Sequence, residues 1–201
     1  MVAMEKLVGY FGYGSLVNRK TLRTSYVDAA RAELKGYRRE WKIRGETVNG
    51  PVCSLTAARD PALSIQGLVV VDRAENLPKV DEREARYDRI SISVDDLDLE
   101  QDVEVAEFYV YLAKPVHLRP NDGTYRILQS YVDAVMQGYL IEFGRAGLER
   151  FVSHTHGWDQ NILADRHDPK YARAVELSEA EQQLFDGLLR KKRETVTLSG
   201  S

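Results

Sequence analysis

The chain has 201 residues, with 28 Lys and Arg against 31 Asp and Glu, for a formal charge of −3. Its 43% apolar and 29% charged residues are those of an ordinary soluble globular chain, which excludes a disordered, collagenous or coiled-coil protein. A pI near 5.9 argues against a dedicated nucleic-acid binder, and no apolar stretch reaches the roughly 18 residues of a membrane span.

At about 150 residues per domain the length predicts one domain with room for an extension, able to bury roughly 70% of its unfolded surface. The single cysteine, Cys53, rules out a disulfide within the chain and a Cys-based zinc site. It suits a reducing compartment, so a cytoplasmic location is expected. In the run Val52-Cys53-Ser54-Leu55 it reads as a small buried hydrophobe rather than a nucleophile.

In chain order, Leu7 to Tyr13 reads as a buried strand entering a tight loop at Gly14-Ser15, part of the mature fold and not a signal peptide. Asn18 is placed to cap a short helix over Arg19 to Arg23. Val27 to Ile43 reads as one or two strands bent near Gly36, Val52 to Ala57 as a short strand, and Ile65 to Val71 as a central one. Val80 to Tyr87 has helical spacing with Leu77. Arg89 to Val94 alternates as a strand, Asp95 to Asp102 is an acidic turn, and Val103 to Leu112 is the clearest strand. Pro115 to Tyr125 is a loop. Ile127 to Phe143 is an amphipathic helix with one apolar stripe through Leu128, Tyr131, Val132, Val135, Tyr139 and Leu140, broken at Gly144 and Gly147. Leu148 to Val152 restarts a helix, His154 to Tyr171 is irregular, and Ser178 with Glu181 forms a capping box that opens a last helix. Val196 to Ser201 reads as frayed. Strands first, with helices inserted and at the end, describe an α+β fold around one compact mixed or closed sheet.

Two segments are suited to chemistry. Tyr13-Gly14-Ser15-Leu16 is a Gly-Ser turn after a buried strand. Such a turn exposes successive N–H groups that can hold a carboxylate or an oxyanion, and glycine permits positive φ; it can equally be a plain strand-to-helix turn. Asp81-Glu82-Arg83-Glu84-Ala85-Arg86-Tyr87 is charged enough to be a solvated helix face. However, Glu84 shares the stripe of Leu77 and Val80. A carboxylate there is either paired or held at a raised pKa, and the second case suits a general base.

Together these motifs, Tyr-Gly-Ser-Leu and some 70 residues later Asp-x-Arg-Glu-x-x-Tyr, resemble the γ-glutamylcyclotransferase superfamily, in its ChaC-like and AIG2-like branches. Pro120 to Tyr125 ahead of a long helix resembles the family segment in which a Tyr lines the pocket. The resemblance spans Leu7 to Gly144. It departs from the ChaC-type pattern at Ala85, where that branch often has Gly. It implies a small mixed β-barrel-like α+β fold with flanking helices and one polar pocket, over residues 1–145, with a loop-plus-helix extension over 146–201 packed on the same domain. It implies cyclisation of a γ-glutamyl group to 5-oxoproline with release of the γ-linked amine, in glutathione or in a γ-glutamyl amino acid or amine. Glu84 would be the catalytic acid/base. Tyr13, Gly14, Ser15 and Leu16 would anchor substrate, with Tyr87 and Tyr125 orienting it; for each of these tyrosines a half-buried core phenol is the other reading. The nucleophile is the substrate's own α-amine, so no cofactor, metal or activated Ser or Cys is expected.

Other readings are a non-catalytic binding module on the same fold and a metal site at His154, His156 and His167 with nearby aspartates. A polar loop packed by Trp158 and Tyr171, or a lid over the pocket, accounts better for the histidines. Arg190-Lys191-Lys192-Arg193 reads as the cationic end of a helix rather than a nucleic-acid or membrane contact. The expected partner is therefore a small γ-glutamyl molecule, with no nucleic acid and no membrane; oligomeric state is not legible.

Overall fold

The computed structural model describes residues 6–22, 25–48 and 50–199. Strand β1 (Leu7–Gly12) lies in the middle of a mixed sheet. It pairs antiparallel with β3 (Gly50–Arg73) and parallel with β6 (Phe108–Ala113). Beyond β3 come β2 (Asp28–Thr47) and β5 (Leu97–Leu99), and beyond β6 lies β4 (Tyr87–Ile92). The sheet curls into a half-barrel packed with three helices, α1 (Leu77–Arg83), α2 (Gln129–His154) and α3 (Glu179–Ser199). The mixed α+β fold expected from the element order is the one observed.

The curl comes from the β2–β3 hairpin, which is longer than its sequence suggests. The short segments Val52 to Ala57 and Ile65 to Val71 are both parts of β3, laid against one continuous β2. Between Lys35↔Ser64 and Tyr37↔Arg59 the register jumps, with Gly36 extra on β2 and residues 60–63 extra on β3. Gly36 takes φ +78°, which an L side chain rarely adopts, and Pro61 falls in the looped-out stretch where no ladder donor is needed. A second irregularity lies between Trp41 and Ile43. Such bulges bend a strand and increase its twist, so the outer half of the hairpin turns over the end of β1.

Strand alternation gives the sheet two apolar faces. Phe11, Val69 and Val71 enter the main core with α2 and α3, while Tyr10 and Val70 join Val80 of α1 and Tyr111 in a smaller cluster. Phe185 and Leu189 of α3 belong to the main core, so the C-terminal helix shares it with the strands.

Several local expectations are corrected. The described part of the helix expected over Arg19 to Arg23 is a single 3-10 turn, Arg19–Thr21, preceded by another over Ser15–Val17; Asn18 caps the second through the Lys20 amide at 3.1 Å, and Arg23 lies outside the described residues. The strand expected over Val103 to Leu112 begins only at Phe108. Residues 132–139 of α2 are all buried, so this is a central helix and not a one-stripe amphipathic one. Its polar residues are matched: Asp133 pairs with Arg166 at 2.8 Å, and the Asp165 carboxylate accepts from the Ser130 amide and hydroxyl at 2.8 and 2.6 Å. The break at Gly144 is present, with φ +64°. Ser178 and Glu181 make the reciprocal capping box at 3.2 and 2.7 Å. Helix α3 then continues through Arg190–Arg193 to Ser199, so the basic run is interior to the helix and Val196 to Ser199 are helical. The rest of the segment expected to fray, Gly200 and Ser201, lies outside the described residues. No described helix is long and apolar enough to cross a membrane.

Gly67 measures how closely β3 approaches the end of β1. A Cβ there would lie 2.2 Å from the Gly12 carbonyl oxygen, a backbone atom that cannot swing aside. Gly67→Ala is expected to cost about 1–3 kcal/mol, as overpacking does, and to lower the thermal midpoint. An unchanged midpoint would contradict the close approach.

Candidate active site

A cavity of about 480 Å³ opens between the tip of the β2–β3 hairpin, the end of α1 and the start of α2. A second space of about 30 Å³ adjoins it beneath the Gly12–Leu16 turn. Ser15, Glu84, Tyr87 and Tyr131 line both. A wider groove, about 690 Å³, runs between the second half of α2 and α3 and contains none of the sequence-predicted site residues.

Glu84 reaches the cavity because α1 ends there. Leu77 and Val80 anchor the helix in the core, and Glu84 leaves helical geometry at φ −98°, ψ 33°. Its amide still donates to the Val80 carbonyl at 2.9 Å, and its carbonyl accepts from the Tyr87 amide at 2.8 Å, which turns the chain into β4. The side chain is 16% exposed and ion-paired to the Arg83 Nε at 3.1 Å. Burial raises the carboxyl pKa above its ordinary value, and outweighs the opposing charges of Arg83 and Arg173. The end of a helix, with its unsatisfied carbonyls, is also an unfavourable place for a negative charge.

Across the cavity, Gly14 leads into the 3-10 turn Ser15–Val17. The turn closes on itself through Val17 N–H to Gly14 O and Asn18 N–H to Ser15 O, both 3.0 Å. The amides of Gly14, Ser15 and Leu16 donate to no acceptor among the described residues. Gly14 has φ −117°, so positive φ is not what calls for glycine here. The reason is space: a Cβ would lie 2.9 Å from the Tyr131 hydroxyl. Arg83 ties the two sides together, donating to the Thr21 carbonyl at 3.2 Å and to Ser15 Oγ at 3.5 Å.

The tyrosines divide. Tyr13 is buried and donates to the Tyr111 carbonyl at 2.5 Å, so its ring borders the inner space while its hydroxyl is occupied. Tyr87 lines both spaces and donates to the Leu55 carbonyl at 2.7 Å. Tyr125 packs against the main core and borders neither space. Tyr131, assigned by its spacing to the core stripe, instead faces the cavity, with no hydrogen-bond partner for its hydroxyl among the described residues. Burial holds the phenols of Tyr87 and Tyr131 well above their ordinary pKa, so both stay protonated.

Cys53 also borders the cavity, but burial pushes its thiol pKa up to about 12, so it is inert at neutral pH. His154 and His156 are exposed at the end of α2 and in the short strand β8 (Thr155–His156). Among the described residues no three His, Cys, Asp or Glu side chains converge as metal ligands do. The segment after His154 contributes a cavity wall only at its end, through Lys170, Tyr171, Ala172 and Arg173. Arg83, Tyr131 and Arg173 are the site residues the sequence did not single out. Arg83 lay inside the quoted motif, but nothing in the spacing of the other two marked them.

The raised pKa of Glu84 has a stability consequence. A carboxyl whose folded pKa exceeds its unfolded one contributes stability that is fully present below the unfolded pKa and lost as pH rises through the folded pKa. Glu84→Gln keeps the neutral shape, so its thermal midpoint is expected to exceed the wild type's at pH 8, with the gap closing below about pH 4. A lower midpoint for the variant at pH 8 would overturn that reading.

The family model for γ-glutamyl cyclotransferase, AIG2-like, matches residues 10–131. No curated protein matches the sequence. Among solved structures, the chain is similar to a γ-glutamyl cyclotransferase at 16% identity and TM-score 0.59, covering 90% of this chain and 99% of that one. A Homo sapiens protein described as uncharacterized gives 17% identity, TM-score 0.57 and the same coverages. Bacillus subtilis YkqA gives 17% identity and TM-score 0.55, with 76% of this chain and 57% of that one covered. At such identities the structures establish the shared fold, and the family match, which spans the turn, α1 and the start of α2, establishes the rest: this chain belongs to the AIG2-like γ-glutamyl cyclotransferase family.

Proposed function

We propose that the protein cyclises a γ-glutamyl group to 5-oxoproline and releases the γ-linked amine, with Glu84 as general acid/base. The observation that supports this best is a carboxyl of raised pKa on a cavity wall, facing a turn whose three amides have no acceptor among the described residues. The substrate's α-amine attacks its own γ-carbonyl carbon. A C–N bond forms, a tetrahedral intermediate collapses, and the γ-amide C–N bond breaks. The Glu84 carboxylate takes a proton from the α-ammonium and gives it to the departing nitrogen; the second proton, shed as the ring nitrogen becomes the lactam N–H, leaves on the released amine as its ammonium. Transfer of this kind is worth roughly 10²–10⁴-fold. Folding the γ-glutamyl chain for five-membered ring closure draws on the ~7–11 kcal/mol available from orientation.

The amides of Gly14, Ser15 and Leu16 suit either the developing oxyanion or the α-carboxylate; one good oxyanion donor is worth about 3 kcal/mol. Tyr131 and Ser15 present hydroxyls to the same space, and the rings of Tyr13 and Tyr87 shape it. Because Tyr125 packs on the core and borders neither space, this reading gives it no contact with the substrate. The single cysteine supports action in a reducing, cytoplasmic setting.

The test is 5-oxoproline release from glutathione, γ-glutamyl-alanine and γ-glutamyl-lysine isomers. Turnover of at least one is expected, reduced 10²–10⁴-fold in Glu84→Gln. Folded protein with no release from any of them would favour a binding module on this fold. The catalytic form is the carboxylate. The acid limb of the kcat/KM profile should therefore lie above the ordinary glutamate value of about 4.3, and a limb at or below it would argue against Glu84 as the base.

A further inference from the structure

The cavity has more positive charge than a γ-glutamyl group requires. Five charged side chains line it, of which four are cations, Arg83, Arg86, Lys170 and Arg173, against Glu84 alone. A γ-glutamyl head carries one α-ammonium and one α-carboxylate and is itself neutral, so it leaves this excess in place.

Three of the cations are engaged. Arg83 pairs with Glu84 and bonds Thr21 and Ser15, Arg86 donates to the Glu46 carbonyl at 2.7 Å, and Lys170 pairs with Asp168. Arg173 is half-buried and makes no hydrogen bond or ion pair with any described residue. Its charge nonetheless acts on Glu84 across the cavity. The segment that presents it is fastened to the start of α2. The Lys170 amide donates to the Asp165 carboxylate at 2.8 Å, the Tyr171 amide to Ser130 Oγ at 3.2 Å, and the Tyr171 ring meets Tyr131 edge-on at 5.0 Å. The Ala174 amide closes a turn onto the Tyr171 carbonyl at 3.1 Å, around Arg173. All of this lies beyond residue 131, outside the segment the family model matches.

We propose that Arg173 is a specificity-determining residue that binds a carboxylate on the leaving half of the substrate, selecting γ-glutamyl amino acids or peptides over γ-glutamyl amines. The proposal rests on the cyclotransferase reading above. A leaving half ending in a carboxylate neutralises the cation excess, whereas one ending in a free ammonium adds to it. A guanidinium matches a carboxylate with two parallel N–H donors, so the selection is geometric as well as electrostatic.

The deciding comparison is γ-glutamyl-alanine against γ-glutamyl-ethylamide, which differ by the leaving-half carboxylate alone, with wild type, Arg173→Met and Arg173→Lys. Wild type should prefer the alanine compound by about 10- to 100-fold, the range of one charge-assisted hydrogen bond. Arg173→Met should lose that preference mainly through KM for the alanine compound, measured on the pH plateau above the acid limb of each enzyme, with a much smaller change for the ethylamide, while Arg173→Lys recovers part of it. Circular dichroism and the thermal midpoint check that both variants fold. An equal loss on both substrates, or no change on either, would overturn the assignment and leave the cyclotransferase reading intact. No turnover of either compound, or of glutathione, by folded wild type would remove that reading and the assignment with it.

Discussion

The structure depends on keeping one positive charge dry. Arg39 is 1% exposed, and among the described residues no carboxylate pairs with it. Its Nη1 lies 3.2 Å from both the Tyr13 and Gln66 carbonyl oxygens and bonds the Tyr139 hydroxyl, whose single proton is shared between the same two carbonyls at 3.0 and 2.7 Å. The guanidinium lies 5.0 and 4.9 Å from the ring centroids of Tyr139 and Phe151, which stack on each other at 4.6 Å. A buried cation costs several kcal/mol unless dipoles and π-faces replace water, and burial pulls its pKa down accordingly. The end of β1, the middle of β3 and both halves of α2 must therefore be in place together. Tyr139 and Phe151 fall on opposite sides of Gly144, so the break in α2 belongs to the arrangement that encloses the charge.

That enclosure sets the functional end of the molecule. The carbonyl held by Arg39 belongs to Tyr13, the residue before the Gly14–Leu16 turn. A second arginine, Arg83, links the turn to the end of α1, where Glu84 leaves the helix. The site is thus a turn fixed from beneath by one guanidinium and joined to the Glu84 carboxylate by another. Two guanidiniums and backbone carbonyls do the holding, which suits the proposed cyclisation, whose nucleophile and electrophile sit in one substrate and chiefly need orientation.

Legibility in the sequence follows the range of the interactions. The Ser178–Glu181 capping box, the break at Gly144, the bend at Gly36 and the buried character of Cys53 are local chemistry, and each appears where the residues indicate it. Glu84 was conspicuous because a carboxylate on an apolar stripe conflicts with its neighbours, and such conflicts gather at functional sites. The length of the β2–β3 hairpin was not legible, since Pro61 and its flanking residues read as an end of strand when they are only looped out of the ladder. The full burial of residues 132–139 was hidden as well. Asp133 and Gln137 look solvent-facing until Arg166, Glu176 and Glu181 arrive from the C-terminal quarter.

By itself the sequence determined the fold class, the family through its paired motifs, and Glu84 together with the Gly14–Leu16 turn as the residues to examine. These rest on spacing within a few residues or on types that clash with their surroundings. Only the tertiary structure decided that Tyr131 and Arg173 share a cavity with Glu84 and that Tyr125 does not. Those residues lie between about 40 and 90 positions from Glu84 along the chain. Their meeting depends on how a bent hairpin and a broken helix enclose one buried cation, a condition on many contacts at once that no local pattern encodes.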